Sequence, residues 1–186
     1  MSYIGSSGGD PGFILWLTGM SGAGKSTIAC LLRDRLRRSR QRVEVLDGDA
    51  VRADLCRDLG FSKEDRAENI RRIGYVADIL ARNGVIVIVA AISPFRLGRD
   101  EIRNRAGSFI EVHVTCPLSV LVERDAKGLY RRALLGELPE FTGISSPYEV
   151  PLSAEVSVDT SNETPEASAS HVWSALRRLR FIDFDW

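Results

Sequence analysis

The feature that most constrains this chain is Gly19-Met20-Ser21-Gly22-Ala23-Gly24-Lys25-Ser26, a complete G-x-x-x-x-G-K-[ST] sequence. An apolar run typical of a buried strand precedes it at residues 13–17, and apolar residues recur at helical spacing from Ile28 to Leu36. A strand that turns through glycines into a helix N-terminus directs backbone N–H groups at phosphates, where a β-carbon would obstruct the approach. The sequence therefore predicts a nucleoside triphosphate site.

Within this phosphate loop, Lys25 is expected to reach the β- and γ-phosphates, and the Ser26 hydroxyl is expected to ligate the magnesium ion that bridges them. The predicted nucleotide-binding residues are Gly19, Met20, Ser21, Gly22, Ala23, Gly24, Lys25, Ser26 and Thr27. The loop alone does not name the second substrate.

Composition excludes several classes of partner. The chain has 186 residues, with 25 Lys plus Arg balanced by 25 Asp plus Glu, so no overall field favours nucleic acid or a membrane surface. Residues 1–12 are rich in Gly and Ser, which predicts a flexible lead-in without a secretory signal. The three cysteines lack metal-ligand or disulfide spacing. We expect a single domain over residues 13–186 and a cytoplasmic location.

Strands and helices alternate along the chain. Apolar or alternating runs predict strands at 13–17, 42–46, 85–92, 109–116 and 154–158, and amphipathic stretches separate them. This alternation predicts a three-layer α/β fold with a five-stranded, mostly parallel sheet.

Polar residues follow the ends of two predicted strands, at the edge where ligands bind in open parallel sheets. Asp49 follows the strand at 42–46, and Arg52 lies on its side if a helix begins at Ala50. Ser93 ends the run at 85–92, because Pro94 cannot continue a central strand. The alternatives are a turn or cap role for Asp49 and a helix-cap role for Ser93.

Two further stretches supply cations and aromatic rings. A helix predicted to begin after Ser62 carries Arg66 and Asn69 three residues apart, although Arg66 alone could be a solvated side chain. Residues 125–150 combine Lys127 with Gly and Pro, which is typical of a mobile lid. The candidates for binding a second substrate are Asp49, Arg52, Phe61, Arg66, Asn69, Ser93, Lys127 and Phe141. Paired arginines and phenylalanines suit a planar, anionic acceptor.

The stretches that carry these residues resemble the adenylylsulfate kinase (APS kinase) family, a family of phosphate-loop kinases. The resemblance runs from about Phe13 to His171 and rests on GMSGAGKST, LDGD followed by VR, DLGFSKEDRAENIRRIG, ISPFR, ERDAKGLYRRA and LPEFTGISSPYE. It implies the P-loop NTPase fold and transfer of the γ-phosphate of MgATP to the 3′-hydroxyl of adenosine 5′-phosphosulfate. The product would be 3′-phosphoadenosine 5′-phosphosulfate, in sulfate activation. The resemblance also implies a homodimer and allows fusion or association with an ATP sulfurylase.

Carried over by position, the resemblance makes Asp49 the carboxylate that activates the 3′-hydroxyl and, with Ser26, helps to hold magnesium. Lys127 would stabilise the transferring phosphoryl group. Ser93 matches a serine described as a phosphoenzyme intermediate, but a hydrogen bond to the acceptor is the alternative. The implied acceptor-binding residues are Arg52, Arg66 and Asn69 at the phosphosulfate and ribose, Phe61 and Phe141 at the adenine, and also Asp49, Ile92, Ser93 and Lys127. The chain departs from the family pattern at residues 50–55 and at Leu97-Gly98-Arg99, and neither departure removes a site residue.

Three alternative hypotheses for the function compete with an adenylylsulfate kinase. A gluconate, shikimate or nucleoside monophosphate kinase would share the loop and lid but would not need the paired aromatic residues. A regulatory nucleotide-binding module would not need intact Lys25, Ser26 and Asp49. A GTPase would need an N-K-x-D guanine signature, which the chain lacks.

Overall fold

A computed structural model describes residues 12–125 and 127–184. The predicted lead-in lies outside the described residues except for Gly12, and so does Ala126 of the predicted lid. No helix in the described ranges is long and apolar enough to cross a bilayer.

The centre of the fold is a five-stranded parallel sheet in the order β2-β3-β1-β4-β5. The strands are β1 (Ile14–Thr18), β2 (Val43–Asp47), β3 (Ile86–Ala90), β4 (Phe109–Thr115) and β5 (Val156–Asp159). The central strand β1 pairs Leu15 with Ile88 on one side and with Ile110 on the other. Its five residues are all buried, as a strand covered by helices on both faces requires. The predicted α/β fold is confirmed.

Helices cover both faces of the sheet. In the described ranges they are α1 (Lys25–Arg38), α2 (Gly48–Asp54), α3 (Lys63–Arg82), α4 (Arg96–Arg105), α5 (Leu118–Arg124), α6 (Leu129–Leu134) and α7 (Pro165–Arg178). Leu15 and Leu17 face the core shared with α1 and α7, whereas Ile14 and Trp16 face the core beneath α3 and α4. Alternation along β1 therefore divides the apolar core into two layers.

Side-chain caps fix where three helices begin. Ser62 accepts a hydrogen bond from the Asp65 backbone N–H and starts α3 as predicted, and Thr164 caps α7 in the same way. The second helix begins two residues before Ala50, the start assumed for it when Arg52 was placed beside Asp49. The Asp47 carboxylate accepts the Asp49 N–H, which starts α2 at Gly48.

The suggested helix-cap role of Ser93 is also wrong, because α4 begins at Arg96 with Phe95 at its N-cap. Ser93 instead lies in the turn between β3 and α4. Its φ of +42° falls in the left-handed region that few non-glycine residues adopt.

Candidate active site

The phosphate loop lies between β1 and α1, where its glycines permit the required backbone. A β-carbon on Gly19 would stand 2.1 Å from the Val114 carbonyl oxygen. Gly24 takes φ +96° at the N-cap of α1. Both positions therefore require glycine, and the first free N–H groups of α1 are directed into the loop.

Lys25 lies buried in the floor of this loop. Its Nζ donates to the carbonyl oxygens of Gly19 and Met20, both at 2.8 Å. Burial lowers the pKa of Lys25 to about 8, although the negative charges of Asp49 and Asp47 act in the opposite direction. An anionic phosphate beside the ammonium would raise the pKa again, so nucleotide binding and protonation of Lys25 are linked.

Ser26 contacts an acid that the sequence reasoning missed. Its hydroxyl donates to Asp47 Oδ2 at 2.5 Å. Asp47 is the last residue of β2, at the carboxyl edge of the sheet. Its place at the end of a strand could have identified Asp47 as a metal ligand, but that role was predicted for Asp49, two residues later.

The pair formed by Ser26 and Asp47 suits Mg²⁺, which prefers hard oxygen ligands and retains several water molecules. Within residues 12–125 and 127–184, no cluster of three or more His, Cys, Asp or Glu side chains could form an all-protein metal cage. A cation bound at Ser26 and Asp47 would therefore take its remaining ligands from phosphates and water.

Asp49 and Lys127 meet across the cleft between α2 and the predicted lid. Lys127 Nζ lies 2.5 Å from Asp49 Oδ2, and both side chains are mostly exposed. This hydrogen bond is the main cause that raises the pKa of Lys127, and the charge of Asp47 adds to it. A carboxylate that can take a proton thus lies beside a cation that can neutralise phosphoryl charge.

Phe61 presents an exposed ring beside two of the predicted arginines. The residue is 60% exposed, and the Arg52 and Arg66 guanidinium carbons lie 4.7 and 5.8 Å from its ring centroid. Arg52 is held in place by a 2.7 Å hydrogen bond to the Gly60 carbonyl. An apolar face and two cations are therefore available to one ligand.

Arg66 links the Phe61 loop to the predicted lid. Its Nε donates to the Phe61 carbonyl at 2.7 Å, its Nη1 donates to Thr142 Oγ1 at 2.5 Å, and its Nη2 donates to the Glu140 carbonyl. These contacts bracket Phe141 in sequence, so Arg66 connects the two segments that carry the predicted aromatic pair.

Asn69 lies one turn beyond Arg66 on α3, at 6% exposure. Its Oδ1 is buried and has no hydrogen-bond partner among the described residues. Such an atom is costly to leave unpaired, and a ligand hydroxyl could satisfy it.

Ser93 is enclosed in a buried chain of hydrogen bonds. It is 1% exposed, its Oγ accepts from Trp16 Nε1 at 3.0 Å, and it donates to Thr18 Oγ1 at 2.9 Å. The Thr18 hydroxyl in turn donates a hydrogen bond to the Ile92 carbonyl oxygen at 2.8 Å. Ser93 Oγ thus makes one donated and one accepted hydrogen bond inside the protein, and this arrangement suits positioning of the β3–α4 turn.

A buried ion pair, which no sequence pattern predicted, supports this turn. Arg99 is 2% exposed, and its Nε donates to Glu111 Oε1 at 2.7 Å. Its two terminal nitrogens donate to the carbonyl oxygens of Ser93 and Glu149, at 2.5 and 2.7 Å. Arg99 therefore joins α4, β4, the Ser93 turn and the segment that returns from the lid.

With this geometry in place, the relatives of the chain decide between the kinase families. A family model described as adenylylsulphate kinase matches residues 11–159. The chain belongs to the adenylylsulfate kinase family.

Individual relatives agree over nearly the whole chain. An adenylyl-sulfate kinase of Rippkaea orientalis is 54% identical over 171 residues, covering 92% of this chain and 94% of that protein. A probable bifunctional SAT/APS kinase of Sorangium cellulosum is also 54% identical, but the match covers 29% of its length. A solved structure of the Mycobacterium tuberculosis APS kinase CysC in complex with AMPPNP and APS has a TM-score of 0.86 at 41% identity. That match covers 90% of this chain and 98% of the other.

Proposed function

We propose that the protein transfers the γ-phosphate of ATP to the 3′-hydroxyl of adenosine 5′-phosphosulfate, giving 3′-phosphoadenosine 5′-phosphosulfate and ADP. The observation that carries the proposal is the pairing of Asp49 with Lys127 close to the phosphate loop. The charges of both residues act on Lys25 of the phosphate loop, and Asp49 shares α2 with Arg52, whose guanidinium lies over the exposed Phe61 ring. Transfer between two bound substrates requires a proton acceptor and a cation at that place.

Each group has a defined part in the reaction. The acceptor oxygen forms a bond to the γ-phosphorus while the bond from that phosphorus to the β,γ-bridging oxygen breaks, and ADP leaves. The Asp49 carboxylate takes the 3′-hydroxyl proton. Lys127 and Lys25 neutralise charge on the transferring group.

The proposed metal cofactor is Mg²⁺, which would bind together with ATP and be held by Ser26 and Asp47. When bound, it would supply neutralisation of phosphate charge. Asp49 remains a candidate for an outer contact to the same ion, since it lies two residues beyond Asp47 at the start of α2.

The acceptor is proposed to lie against Phe61 and Phe141, with Arg52 and Arg66 at its phosphosulfate. Arginine suits this group because its planar fork can donate two hydrogen bonds to one tetrahedral anion. Asn69 Oδ1 would accept from a ribose hydroxyl, which would satisfy the buried oxygen described above. Ile92 and Ser93 would shape the floor of the pocket through the turn they form.

We propose, in addition, that the protein works in sulfate activation in the cytoplasm and forms a homodimer. We also propose association with an ATP sulfurylase, which the bifunctional SAT/APS kinase of Sorangium cellulosum supports.

The substrate proposal is tested by following ADP release from MgATP with adenosine 5′-phosphosulfate, AMP, gluconate or shikimate as the acceptor. Release with adenosine 5′-phosphosulfate alone is the expected result. Faster release with gluconate or shikimate would contradict the proposed acceptor. Tight binding of adenosine 5′-phosphosulfate without any ADP release would make the protein a sensor.

The role of Asp49 is tested by Asp49→Asn, with Asp54→Asn, an exposed site at the end of the same helix, as the matched control. We expect Asp49→Asn to lower kcat by roughly 10²- to 10⁴-fold, because the amide cannot accept the proton. ATP affinity should change little, and the control should resemble the wild type. A kcat within threefold of wild type would refute the role of Asp49 as proton acceptor.

A further inference from the structure

Tyr130 connects the phosphate loop to the proposed acceptor pocket. It belongs to α6, in the predicted lid, and is 2% exposed. Its hydroxyl donates to the Ser21 carbonyl of the phosphate loop at 2.8 Å. On its other side, its ring meets the Phe141 ring edge-on, with the centroids 5.1 Å apart.

The lid also approaches the phosphate loop at a second point. Gly143 takes φ +90°, and a β-carbon there would stand 2.6 Å from Met20 Sδ. The turn that carries Phe141 thus packs on Met20 while Tyr130 holds the neighbouring Ser21. A displacement of the loop backbone at residues 20–21 would be transmitted to Phe141, because packed groups move together.

We propose that Tyr130 is a positioning residue through which occupancy of the phosphate loop sets the position of Phe141, and so links nucleotide affinity to acceptor affinity. This inference rests on the proposed function, since it takes Phe141 as one wall of the acceptor pocket. In this role Tyr130 acts through its contacts with Ser21 and Phe141.

The hydroxyl is a stable donor for this purpose. Burial, with smaller contributions from Cys116 and Asp125, raises the pKa of Tyr130 to about 12. The phenol therefore stays protonated throughout the physiological range and keeps its hydrogen bond to Ser21.

The test uses Tyr130→Phe, which removes the hydroxyl and keeps the ring against Phe141. The matched control is Tyr75→Phe, which removes the same atom from an exposed position on α3. For each protein, the dissociation constant of adenosine 5′-phosphosulfate is measured by calorimetry with and without saturating MgADP. The coupling factor is the dissociation constant measured without MgADP divided by the one measured with it. By linkage, adenosine 5′-phosphosulfate must change the affinity for MgADP by the same factor.

The wild type and Tyr75→Phe should show a coupling factor above one. In Tyr130→Phe the coupling factor should fall roughly fivefold, as expected from the loss of a single neutral hydrogen bond. If the wild-type factor is five or less, it should fall to one. A purely structural role would lower the melting temperature or both separate affinities and leave the ratio unchanged. An unchanged ratio in folded Tyr130→Phe, or a wild-type ratio of one, would overturn the inference.

Turnover of adenosine 5′-phosphosulfate by the wild type is measured in the same series. If turnover is present and the ratio is unchanged, the inference fails and the proposed function stands. If the wild type neither binds nor phosphorylates this acceptor, the proposed function fails, and the inference fails with it.

Discussion

The buried lysine of the phosphate loop should make nucleotide binding consume protons at alkaline pH. Lys25 has a pKa of about 8 in the structure, because burial disfavours its charged form. Phosphate oxygens beside Nζ favour the charged form. We therefore expect the pKa in the nucleotide complex to return at least to the ordinary value of about 10.5 for a lysine side chain.

These two values set the magnitude of the effect. At pH 9 the free protein would carry about 0.1 proton on Lys25 and the complex about 1, so binding would take up about 0.9 proton. At pH 7 both forms are charged, and the uptake would be about 0.1 proton. Because the complex holds more protons, affinity should fall as pH rises, by about tenfold between pH 7 and pH 9.

The assay is calorimetric titration of MgADP, whose terminal phosphate (pKa about 6) stays ionised across this range. Titrations in two buffers of different ionisation enthalpy give the proton uptake directly. Lys25→Arg is the matched control, since guanidinium stays charged and should abolish the uptake at pH 9. An uptake in the wild type that is no larger at pH 9 than at pH 7 would refute the argument that Lys25 is strongly desolvated.

Two further predictions concern the buried polar groups behind the site. Arg99→Met should lower the free energy of unfolding by about 3–5 kcal/mol in urea titrations, because it leaves Glu111 buried with one partner fewer. Arg105, whose side chain is 40% exposed, lies 4.0 Å from Asp78 and should matter far less, so an equal loss in Arg105→Met would contradict this assignment. Ser93→Ala should keep kcat within tenfold of wild type but lower stability by about 1–3 kcal/mol, since Trp16 Nε1 loses its acceptor. Complete loss of turnover in folded Ser93→Ala would support a covalent role for that serine.

The strands and most helices could be predicted from the sequence because each depends on residues close together in the chain. Buried strands are short apolar runs, and the capping residue Ser62 correctly predicted the start of α3. The start of α2 was not predicted correctly. An aspartate before a glycine can cap a helix or end a strand, and Asp47 does both.

The site was predictable only where a side chain belongs to a local motif. Lys25 and Ser26 are fixed by the loop sequence, and Asp49 and Lys127 were suggested by strand ends, lid composition and family resemblance. The contact of Ser26 with Asp47 spans 21 residues, and that of Tyr130 with Ser21 spans 109. No periodicity or spacing reports such pairings, because they depend on how β2 and α6 lie relative to the loop.

The same limit explains why Ser93 was difficult to assign. Its position at the end of β3 was evident, but its donor Trp16 and its acceptor Thr18 come from the neighbouring strand β1. Sequence can place a serine at the carboxyl edge of a sheet. Only the assembled sheet shows that its oxygen is already engaged.

Transfer of phosphate to the 3′-hydroxyl is tested by locating the new phosphate in the product. The protein is incubated with MgATP and adenosine 5′-phosphosulfate, and the purified product is examined by phosphorus and proton NMR. We expect a phosphomonoester coupled to the ribose H3′ proton, with the 5′-phosphosulfate intact. A phosphate on the 2′-hydroxyl, or ADP release with unchanged adenosine 5′-phosphosulfate, would contradict it.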